Sequence, residues 1–362
     1  MAVVGEPLRR VLIVGGGTGG HVFPGLAIAN VLKAQGVEVF WLGAQRGIEN
    51  KLVAQQKIPL FVLPVVGLRG RGLLKKIHAS AALLKSIVSA ITIIRQLKPQ
   101  VIVGMGGYAS GPGGIAAGLL RIPLVLHEQN AVAGMTNRYL AHVAKRTLGG
   151  FPHSFSGKKA CFVGNPVREA IATIAPPDVR LGDRDGPIRL LVLGGSRGAL
   201  IFNQIVPKAC ALLTKIMPID VIHQAGEKHL SVAQAGYQSA GVKATTSAFI
   251  DDMANAYAWA DIVIARAGAM TVTELMTAGV ASLLIPLPGA VDDHQTKHAD
   301  LLVAHHAAYL LPETELSAEN LANQLKTLCQ SRKTLHTMAK AAYGLKKQKV
   351  IEHIINQLKD SL

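Results

Sequence analysis

Short runs of apolar, mostly β-branched residues alternate along this chain with longer helical patterns. The runs are VLIV (11–14), VEVFWL (37–42), VIVG (101–104), PLVLH (123–127), IRLLVL (188–193), DVIHQ (220–224), DIVIA (261–265) and ASLLIP (281–286). Alternation of this kind predicts βα units built on parallel sheets, and therefore an α/β fold.

One pattern occurs twice. The segment RRVLIVGGGTGG (9–20) is echoed by IRLLVLGGSRGA (188–199), as if a strand, a glycine turn and a helix began again. Two Rossmann-like domains are the simplest account of this repeat. A stretch rich in Pro and Gly at 163–187 supplies the boundary, so we expect domains over 1–165 and 166–344. A final helix, about 345–362, could return to the first domain.

The segment IHASAALLKSIVSAITII (77–94) is long and apolar enough to raise the question of a membrane span. Lys85 lies at its middle, where a charge costs about 2.5–3.5 kcal/mol on insertion scales. We therefore interpret it as a crossover helix with a wide apolar face. Two readings stay open, namely a plain core helix and a helix that partly enters the membrane interface, where its basic flanks meet anionic lipids.

Charge changes this picture. The net charge is +16, and residues 1–168 carry 20 Lys and Arg against 4 Asp and Glu, whereas the rest of the chain carries 18 of each. Glu128 is the sole acidic residue between Asn50 and Arg168, so that surface should attract nucleic acid, acidic lipid headgroups or a phosphorylated substrate. Aromatic residues make up only 4% of the chain, which argues against a base-stacking platform and hence against nucleic acid.

The three cysteines are an odd number without C-x-x-C spacing. This predicts neither a disulfide framework nor a thiolate metal site, and it favours the reducing cytoplasm. Residues 1–10 lack the basic-then-apolar order of a signal peptide, so no export signal is expected.

Two glycine loops in the first half are candidate phosphate sites. GGGTGGH (15–21) follows a predicted strand and satisfies G-x-G-x-x-G, but the acid that would hold a ribose is misplaced, since Glu38 opens the next strand instead of closing it. A glycine turn still lets backbone N–H groups approach an anion at a helix end, unless it is merely a tight turn. GMGGYASGPGG (104–114) should approach a phosphate too, and the two loops together suit a pyrophosphate. The residues predicted for this second, acceptor-pyrophosphate loop are Gly106, Gly107, Tyr108, Ser110, Gly111, Gly113 and Gly114.

The second half repeats the arrangement in GGSRGA (194–199) and RAGAMTVTE (266–274). Gly268 and Ala269 turn the chain, and helix amides from about Met270 onward can face a phosphate. Glu274 could accept hydrogen bonds from ribose hydroxyls, while Arg266 reaches toward a diphosphate. The alternative for Glu274 is compensation of the helix dipole alone.

Eight short motifs, taken together and in their order along the chain, are far more specific than any single glycine loop. They are GGTGGH (16–21), GMGGYASGPGG (104–114), LHEQNAVAGMTNR (126–138), VGNPVR (163–168), GGSRGA (194–199), FIDDM (249–253), RAGAMTVTE (266–274) and DDHQ (292–295). Over residues 10–340 the chain closely resembles the MurG family of UDP-N-acetylglucosamine transferases. The resemblance implies two Rossmann-like domains facing a cleft, the GT-B architecture, with the acceptor held by the first domain and the donor by the second.

The resemblance also implies the reaction and its site. N-acetylglucosamine would pass with inversion from UDP-N-acetylglucosamine to the muramoyl 4-hydroxyl of lipid I, giving lipid II, at the cytoplasmic face of the inner membrane. The basic region between Asn50 and Arg168 adds the expectation that this membrane surface is anionic. Other cell-wall synthesis enzymes stay open as partners. Carried over to this chain, the donor-binding positions are Thr18, Gly19, Gly20, Asn130, Arg168, Ser196, Ile250, Ala269, Met270, Thr271, Val272, Thr273, Glu274 and Gln295. His298 departs from the pattern, since many members have Asn there.

Catalysis needs a base on the acceptor hydroxyl and stabilisation of the departing UDP. We assign the base to His21, because histidine has an unperturbed pKa of about 6.5 and a helix N-terminus favours its neutral form. The alternative is that His21 caps the helix or binds phosphate. No metal and no cofactor are expected, since Asp183 and Asp185 precede a strand instead of following one, and the pair His294 and His298 lacks the glutamate of H-E-x-x-H.

Two other classes of protein remain as rivals. An NAD-dependent oxidoreductase would account for the fingerprint at Gly15 but not for the duplicated loops. A basic protein that binds membrane or nucleic acid without catalysis would account for the charge, but it leaves Glu274, Gln295 and the four glycine loops without a function.

Overall fold

The computed structural model describes residues 7–45, 47–65, 73–155, 157, 160–195 and 198–362. The chain divides into two compact units. The N-terminal unit comprises Met1–Arg168 and Lys347–Leu362, and the C-terminal unit comprises Glu169–Lys346.

A parallel sheet forms the centre of the N-terminal unit. Its strands, within the described residues, are β1 (Arg10–Gly15), β2 (Glu38–Ala44), β3 (Leu60–Leu63), β4 (Val101–Gly106), β5 (Leu124–Glu128), β6 (Arg146–Gly149) and β7 (Ala160–Phe162). They lie in the order β3-β2-β1-β4-β5-β6-β7, and every pairing is parallel. The helices of this unit are α1 (Gly19–Ala34), α2 (Glu49–Gln55), α3 (Leu73–Leu97), α4 (Ser110–Leu119), α5 (Met135–Leu140) and, from the far end of the sequence, α15 (Val350–Lys359).

Strand β1 shows why the apolar runs become central strands. Val11 and Ile13 belong to the core on one face of the sheet, and Leu12 and Val14 belong to the core on the other. Since successive side chains of a strand point to opposite faces, a strand covered by helices on both sides must be apolar at every position.

A second parallel sheet forms the centre of the C-terminal unit. In the described part of the chain it contains β8 (Ile188–Leu193), β9 (Ile219–Gln224), β10 (Ala244–Ser247), β11 (Ile262–Ala265), β12 (Ala281–Leu284) and β13 (Ala308–Leu310), in the order β10-β9-β8-β11-β12-β13. Its helices are α6 (Glu169–Ala172), α7 (Pro177–Leu181), α8 (Leu200–Leu213), α9 (Leu230–Ala240), α10 (Met253–Trp259), α11 (Ala269–Ala278), α12 (His294–Ala304), α13 (Ala318–Cys329) and α14 (Arg332–Gly344). Short 3-10 helices lie at Glu227–His229, Val291–Asp293 and Glu313–Glu315. The prediction of an α/β fold with two Rossmann-like sheets is confirmed.

Helix α3 is the predicted crossover, since it connects β3 at one edge of the sheet to β4 near its centre. Ala90 and Ile94 are buried in the core, but Leu84 and Val88 are 64% and 62% exposed. Within the described residues, the window Ser80–Leu97 is long and apolar enough to cross a membrane by length and composition, a test that core helices also pass, and 22% of it is buried. A plain core helix does not account for the exposed apolar stripe.

Helix α15 packs against α1 in the N-terminal unit. Ile354, Ile355 and Leu358 are buried in the same core cluster as Val22 and Leu26. The chain therefore leaves the N-terminal unit after β7, builds the whole C-terminal unit and then returns.

Candidate functional site

Each sheet has one place where the strand order reverses. In the N-terminal unit the chain moves outward from β1 through β2 to β3, and then restarts on the other side of β1 with β4. In the C-terminal unit the same reversal lies between β8 and β11. Loops that follow the two strands at such a point diverge and leave a crevice at the carboxyl end of the sheet, which is where open α/β sheets bind ligands. All four predicted glycine loops follow one of these strands.

The two loops of the N-terminal unit touch each other. Gly107 has a φ of +83°, and a Cβ at this position would overlap the Gly16 carbonyl of the first loop. Ser110 Oγ accepts from the Gly106 amide at 3.0 Å and lies 3.1 Å from the Val14 carbonyl oxygen of β1, to which it can donate. Only glycine allows this approach, so the sequence itself fixes the two loops together.

His21 lies in the first turn of α1, directly against the second loop. A Cβ at Gly106 would lie 2.9 Å from its Nε2, and Thr18 Oγ1 lies 3.3 Å from its Nδ1. The Gly16 backbone also lies near enough to the ring to favour its protonated form. Burial lowers the pKa of His21, and Glu128, the Gly16 carbonyl and Glu49 partly offset this. The imidazole is therefore neutral at neutral pH, which is the form that can accept a proton.

A network of hydrogen bonds surrounds Glu128 at the end of β5. Its Oε1 accepts from the backbone and side-chain nitrogens of Asn130 at 3.0 and 2.8 Å, and its Oε2 accepts from Gly134 N at 3.0 Å and Asn137 Nδ2 at 2.9 Å. The carboxylate, 3% exposed, thereby fixes Asn130, a predicted donor-binding residue. In the sequence, Glu128 stands out only as an isolated charge. Its isolation among basic and glycine-rich segments was the available signal.

The remaining predicted residues of the N-terminal unit fall into two groups. Tyr108 is half-exposed at the loop, and Arg168 places its guanidinium 5.6 Å from the ring centroid of Phe23, in the same helix as Gly19 and Gly20. Gly113 and Gly114 are buried instead, where a Cβ would lie 2.8 Å from Val14 and 2.6 Å from Leu140. These two glycines let α4 pack closely, and they do not line the exposed part of the loop.

In the C-terminal unit the β11–α11 turn carries the predicted diphosphate and ribose segment. Gly268 is the extended N-cap residue of α11, and Ala269, Met270 and Thr271 form its first turn. Amides at a helix N-terminus have no partner within the helix and carry partial positive charge, so they favour an anion. Val272 and Thr273 are buried, and Thr273 Oγ1 donates back to the Ala269 carbonyl at 2.8 Å.

Glu274 lies one turn further along α11 and is half-buried. Its Oε2 accepts a hydrogen bond from the hydroxyl of the buried Tyr257 at 3.0 Å. The carboxylate therefore has a defined orientation beside the helix N-terminus, as a group that accepts hydrogen bonds from ribose would need.

Arg266 has a different environment from the one expected. Its Nη1 donates to the carbonyls of Ile285 and Pro286 at 3.2 and 3.1 Å, its Nη2 forms an ion pair with Glu313, and its guanidinium stacks on Phe202 at 4.8 Å. In this structure the side chain ties β11 to the loop after β12. A diphosphate would have to compete with these contacts.

Two other predicted residues of this unit lie in the segments that follow β10 and β12, at the carboxyl end of the sheet. Ile250 lies between β10 and α10, and Gln295 lies in the first turn of α12, where its Oε1 accepts from Leu287 N at 2.9 Å. Ser196 lies outside the described residues.

His298, the departure from the family pattern, is fully buried in α12. Its Nδ1–H donates to the Ala267 carbonyl at 2.9 Å, just before the turn into α11. Burial, with a smaller contribution from His294, lowers the pKa of His298 to about 4. The neutral ring thus supports the backbone of the predicted diphosphate segment.

The predicted absence of a metal site stays a prediction. Across the described ranges, no group of three or more His, Cys, Asp and Glu residues is arranged to hold a metal ion. Asp183 and Asp185 precede β8, and the Asp185 carbonyl accepts from Arg332 Nη2 at 3.2 Å.

Comparisons with known proteins find relatives of both units. The model of the glycosyltransferase family 28 N-terminal domain matches residues 11–148, and that of the glycosyltransferase family 28 C-terminal domain matches residues 189–354. A protein from Marinobacter nauticus named UDP-N-acetylglucosamine--N-acetylmuramyl-(pentapeptide) pyrophosphoryl-undecaprenol N-acetylglucosamine transferase is 49% identical over 352 residues, covering 97% of this chain and 97% of that protein. A protein of the same name from Alkalilimnicola ehrlichii is 50% identical over 335 residues, covering 92% and 94%.

Among solved structures, the crystal structure of MurG from Acinetobacter baumannii superposes with a TM-score of 0.83 at 40% identity. The match covers 97% of this chain and 99% of that one. The similarity therefore runs through both units.

Proposed function

Because this chain belongs to the MurG family within glycosyltransferase family 28, we propose that it makes lipid II by inverting transfer of N-acetylglucosamine. The donor is UDP-N-acetylglucosamine. The acceptor is the muramoyl 4-hydroxyl of lipid I, the undecaprenyl-pyrophosphoryl N-acetylmuramoyl-pentapeptide.

The observation that carries the proposal is the β11–α11 turn of the C-terminal unit. An anion-binding helix N-terminus there precedes, by one turn, a carboxylate that Tyr257 holds in place. A nucleoside diphosphate presents a diphosphate and ribose hydroxyls in the same succession. Ile250 supplies backbone for the uracil, and Gln295 accounts for contacts to the sugar.

The N-terminal unit supplies the acceptor loop and the base. Its two touching glycine loops offer backbone amides to the pyrophosphate of lipid I, and His21 lies against both of them. In the reaction, neutral His21 takes the proton from the muramoyl 4-hydroxyl. The oxygen of that hydroxyl attacks the anomeric carbon of N-acetylglucosamine from the face opposite UDP. The bond to the diphosphate oxygen breaks, and the first turn of α11 stabilises the negative charge that UDP gains.

An anionic membrane surface is the second partner that we propose. Helix α4 packs against α3. Exposed apolar side chains lie on α3, on α4 and on α5 with the residues that follow α5. We call them the apolar face; they are Leu84, Val88, Leu119, Met135, Tyr139 and Val143. Exposed basic residues accompany them on the same segments, namely Lys85, Arg121, Arg138 and Lys145.

Charge complementarity selects the lipid. Glu128 is the sole acidic residue between Asn50 and Arg168, and its carboxylate is buried among four donors. No carboxylate of this stretch therefore opposes an anionic headgroup. A peripheral position on the cytoplasmic face of the membrane follows, which is also where a polyprenyl-linked acceptor is available.

Purified protein, incubated with radiolabelled UDP-N-acetylglucosamine and a lipid I analogue carrying a short polyprenyl chain, tests the proposal. We expect a labelled disaccharide product that requires both substrates, and little product when UDP-glucose replaces the donor. Thermal shift separates the rival classes, because a ligand that binds the native state raises its apparent stability. Stabilisation by NADH but not by UDP-N-acetylglucosamine would show a nicotinamide enzyme instead.

A further inference from the structure

Glu49 is a buried carboxylate of the N-terminal unit that has no part in the proposed reaction. It is the first residue of α2, the helix that follows β2, and it is 0% exposed. Strand β2 is the immediate neighbour of β1, so the Glu49 side chain lies beside the first glycine loop. Ionisable side chains are rarely buried this fully unless they are paired or hydrogen-bonded.

The carboxylate joins two loops. Its Oε2 accepts from the Gly17 amide of the first glycine loop at 2.9 Å, and its Oε1 accepts from the Ala44 amide at the end of β2 at 3.0 Å. A Cβ at Gly16 or at Gly47 would overlap the carboxyl group. Glycines thus create the space that the carboxylate fills, and its contact with the first loop spans 32 positions of sequence.

The contact continues to His21. Gly17 follows Gly16, whose backbone raises the pKa of His21, and it precedes Thr18, whose hydroxyl lies 3.3 Å from His21 Nδ1. The hydroxyl that contacts the ring and the backbone that acts on its pKa therefore belong to the two residues adjacent to the amide that Glu49 holds. The charged groups that act on the ring are Glu49 and Glu128, and each raises its pKa against the lowering effect of burial.

From this geometry we propose that Glu49 is a positioning residue for transfer, which holds the first glycine loop so that the His21 ring keeps its orientation toward the acceptor. The inference rests on the proposed role of His21 as the base. Glu49 acts through Gly17 and does not touch the reacting atoms. Gln in its place would leave an NH₂ facing a backbone N–H, because an amide has one accepting oxygen where a carboxylate has two.

Glu49→Gln is the decisive variant, and Glu38→Gln is its matched control, since Glu38 is an exposed carboxylate of the same sheet. We expect Glu49→Gln to lower kcat by about 10- to 100-fold, the range that a displaced catalytic geometry produces, with a smaller change in KM. The acidic limb of the pH profile should move to lower pH, because removing the negative charge lowers the pKa of His21 further. Glu38→Gln should leave both unchanged.

An NMR titration of ¹³C-labelled histidine gives a readout that does not depend on activity. The His21 signal is assigned by its loss in His21→Ala, and its midpoint should be lower in Glu49→Gln than in wild type. If the wild-type protein transfers no sugar, the proposed function is wrong. The titration still tests whether Glu49 influences His21 through the first glycine loop.

Glu49→Asp separates charge from reach. It keeps the charge but is one methylene shorter, so we expect kcat to fall while the His21 midpoint stays near that of wild type. If Glu49→Gln does not fold, Glu49→Asp decides the question. A wild-type kcat in either variant, provided that it folds, overturns the proposal. The proposal is also overturned if Glu49→Gln loses activity only in proportion to a lower Tm while the His21 titration is unchanged.

Discussion

Glu274 permits a prediction whose size follows from its contacts. The carboxylate is half-buried beside the N-terminus of α11 and is oriented by the Tyr257 hydroxyl at 3.0 Å. Losing a hydrogen bond to a charged group costs about 1.5–3 kcal/mol, so Glu274→Ala should raise the Kd for UDP-N-acetylglucosamine by about 10- to 150-fold.

Tyr257→Phe tests the orientation alone. It removes the hydrogen bond that orients the carboxylate but leaves the carboxylate in place, so the Kd should rise by less than it does in Glu274→Ala. Glu315→Ala is the control, since Glu315 is an exposed carboxylate of the same unit, and it should bind the donor as wild type does.

Calorimetry with two ligands distinguishes ribose binding from compensation of the helix dipole. If Glu274 contacts the ribose, wild type should bind UDP more tightly than 2′,3′-dideoxy-UDP, and Glu274→Ala should abolish that difference. If Glu274 only compensates the dipole, the two ligands should differ equally in wild type and variant. An unchanged Kd in a folded Glu274→Ala protein would remove the residue from the site.

Three further predictions concern the base, the metal and the membrane. His21→Ala should lower kcat by about 10²- to 10⁴-fold with little change in donor Kd. Because burial lowers the pKa of His21 from its usual 6.5, the acidic limb of kcat/KM should lie below pH 6.5 in wild type and vanish in the variant; a raised KM with normal kcat would make His21 a binding residue. Transfer should persist in excess chelator, and abolition restored by one divalent ion would contradict this. Co-sedimentation with vesicles should require anionic lipid and weaken with salt, since each basic residue near the surface contributes about 1 kcal/mol. Leu84→Glu should reduce it, Val179→Glu on the exposed surface of the C-terminal unit should not, and equal binding to neutral vesicles would contradict the role of charge.

The sequence predicted the central strands well and the edges poorly. Strands such as β1 and β8 appear as unbroken apolar runs because helices cover both faces. Four of the five strands that it missed, β3, β7, β10 and β13, lie at the edges of the two sheets, and the fifth, β6, lies next to one. Edge strands are short and half-solvated here, as ATTS in β10 illustrates, so they carry no periodic apolar signal.

The candidate site was predictable where its chemistry is local and unpredictable where it depends on distant contacts. Glycine loops after strands, and Glu274 one turn into a helix, can be recognised along the chain. The contact of Glu49 with Gly17 and the contact of Arg266 with Glu313 cannot, because each joins segments that only the fold brings together. Arg266 is an example, because an arginine beside a predicted phosphate loop has the same sequence context whether its guanidinium contacts the ligand or other parts of the protein.

The return of α15 to α1 sets an order on how this chain can fold during synthesis. Residues 350–359 are translated after the entire C-terminal unit, yet Ile354, Ile355 and Leu358 complete the core that β1 and α1 begin. During synthesis, part of the apolar core of the N-terminal unit therefore stays exposed until α15 has been translated. The C-terminal unit, whose residues are all translated before α15, can fold earlier. The half of the protein that is made first is the last to be finished.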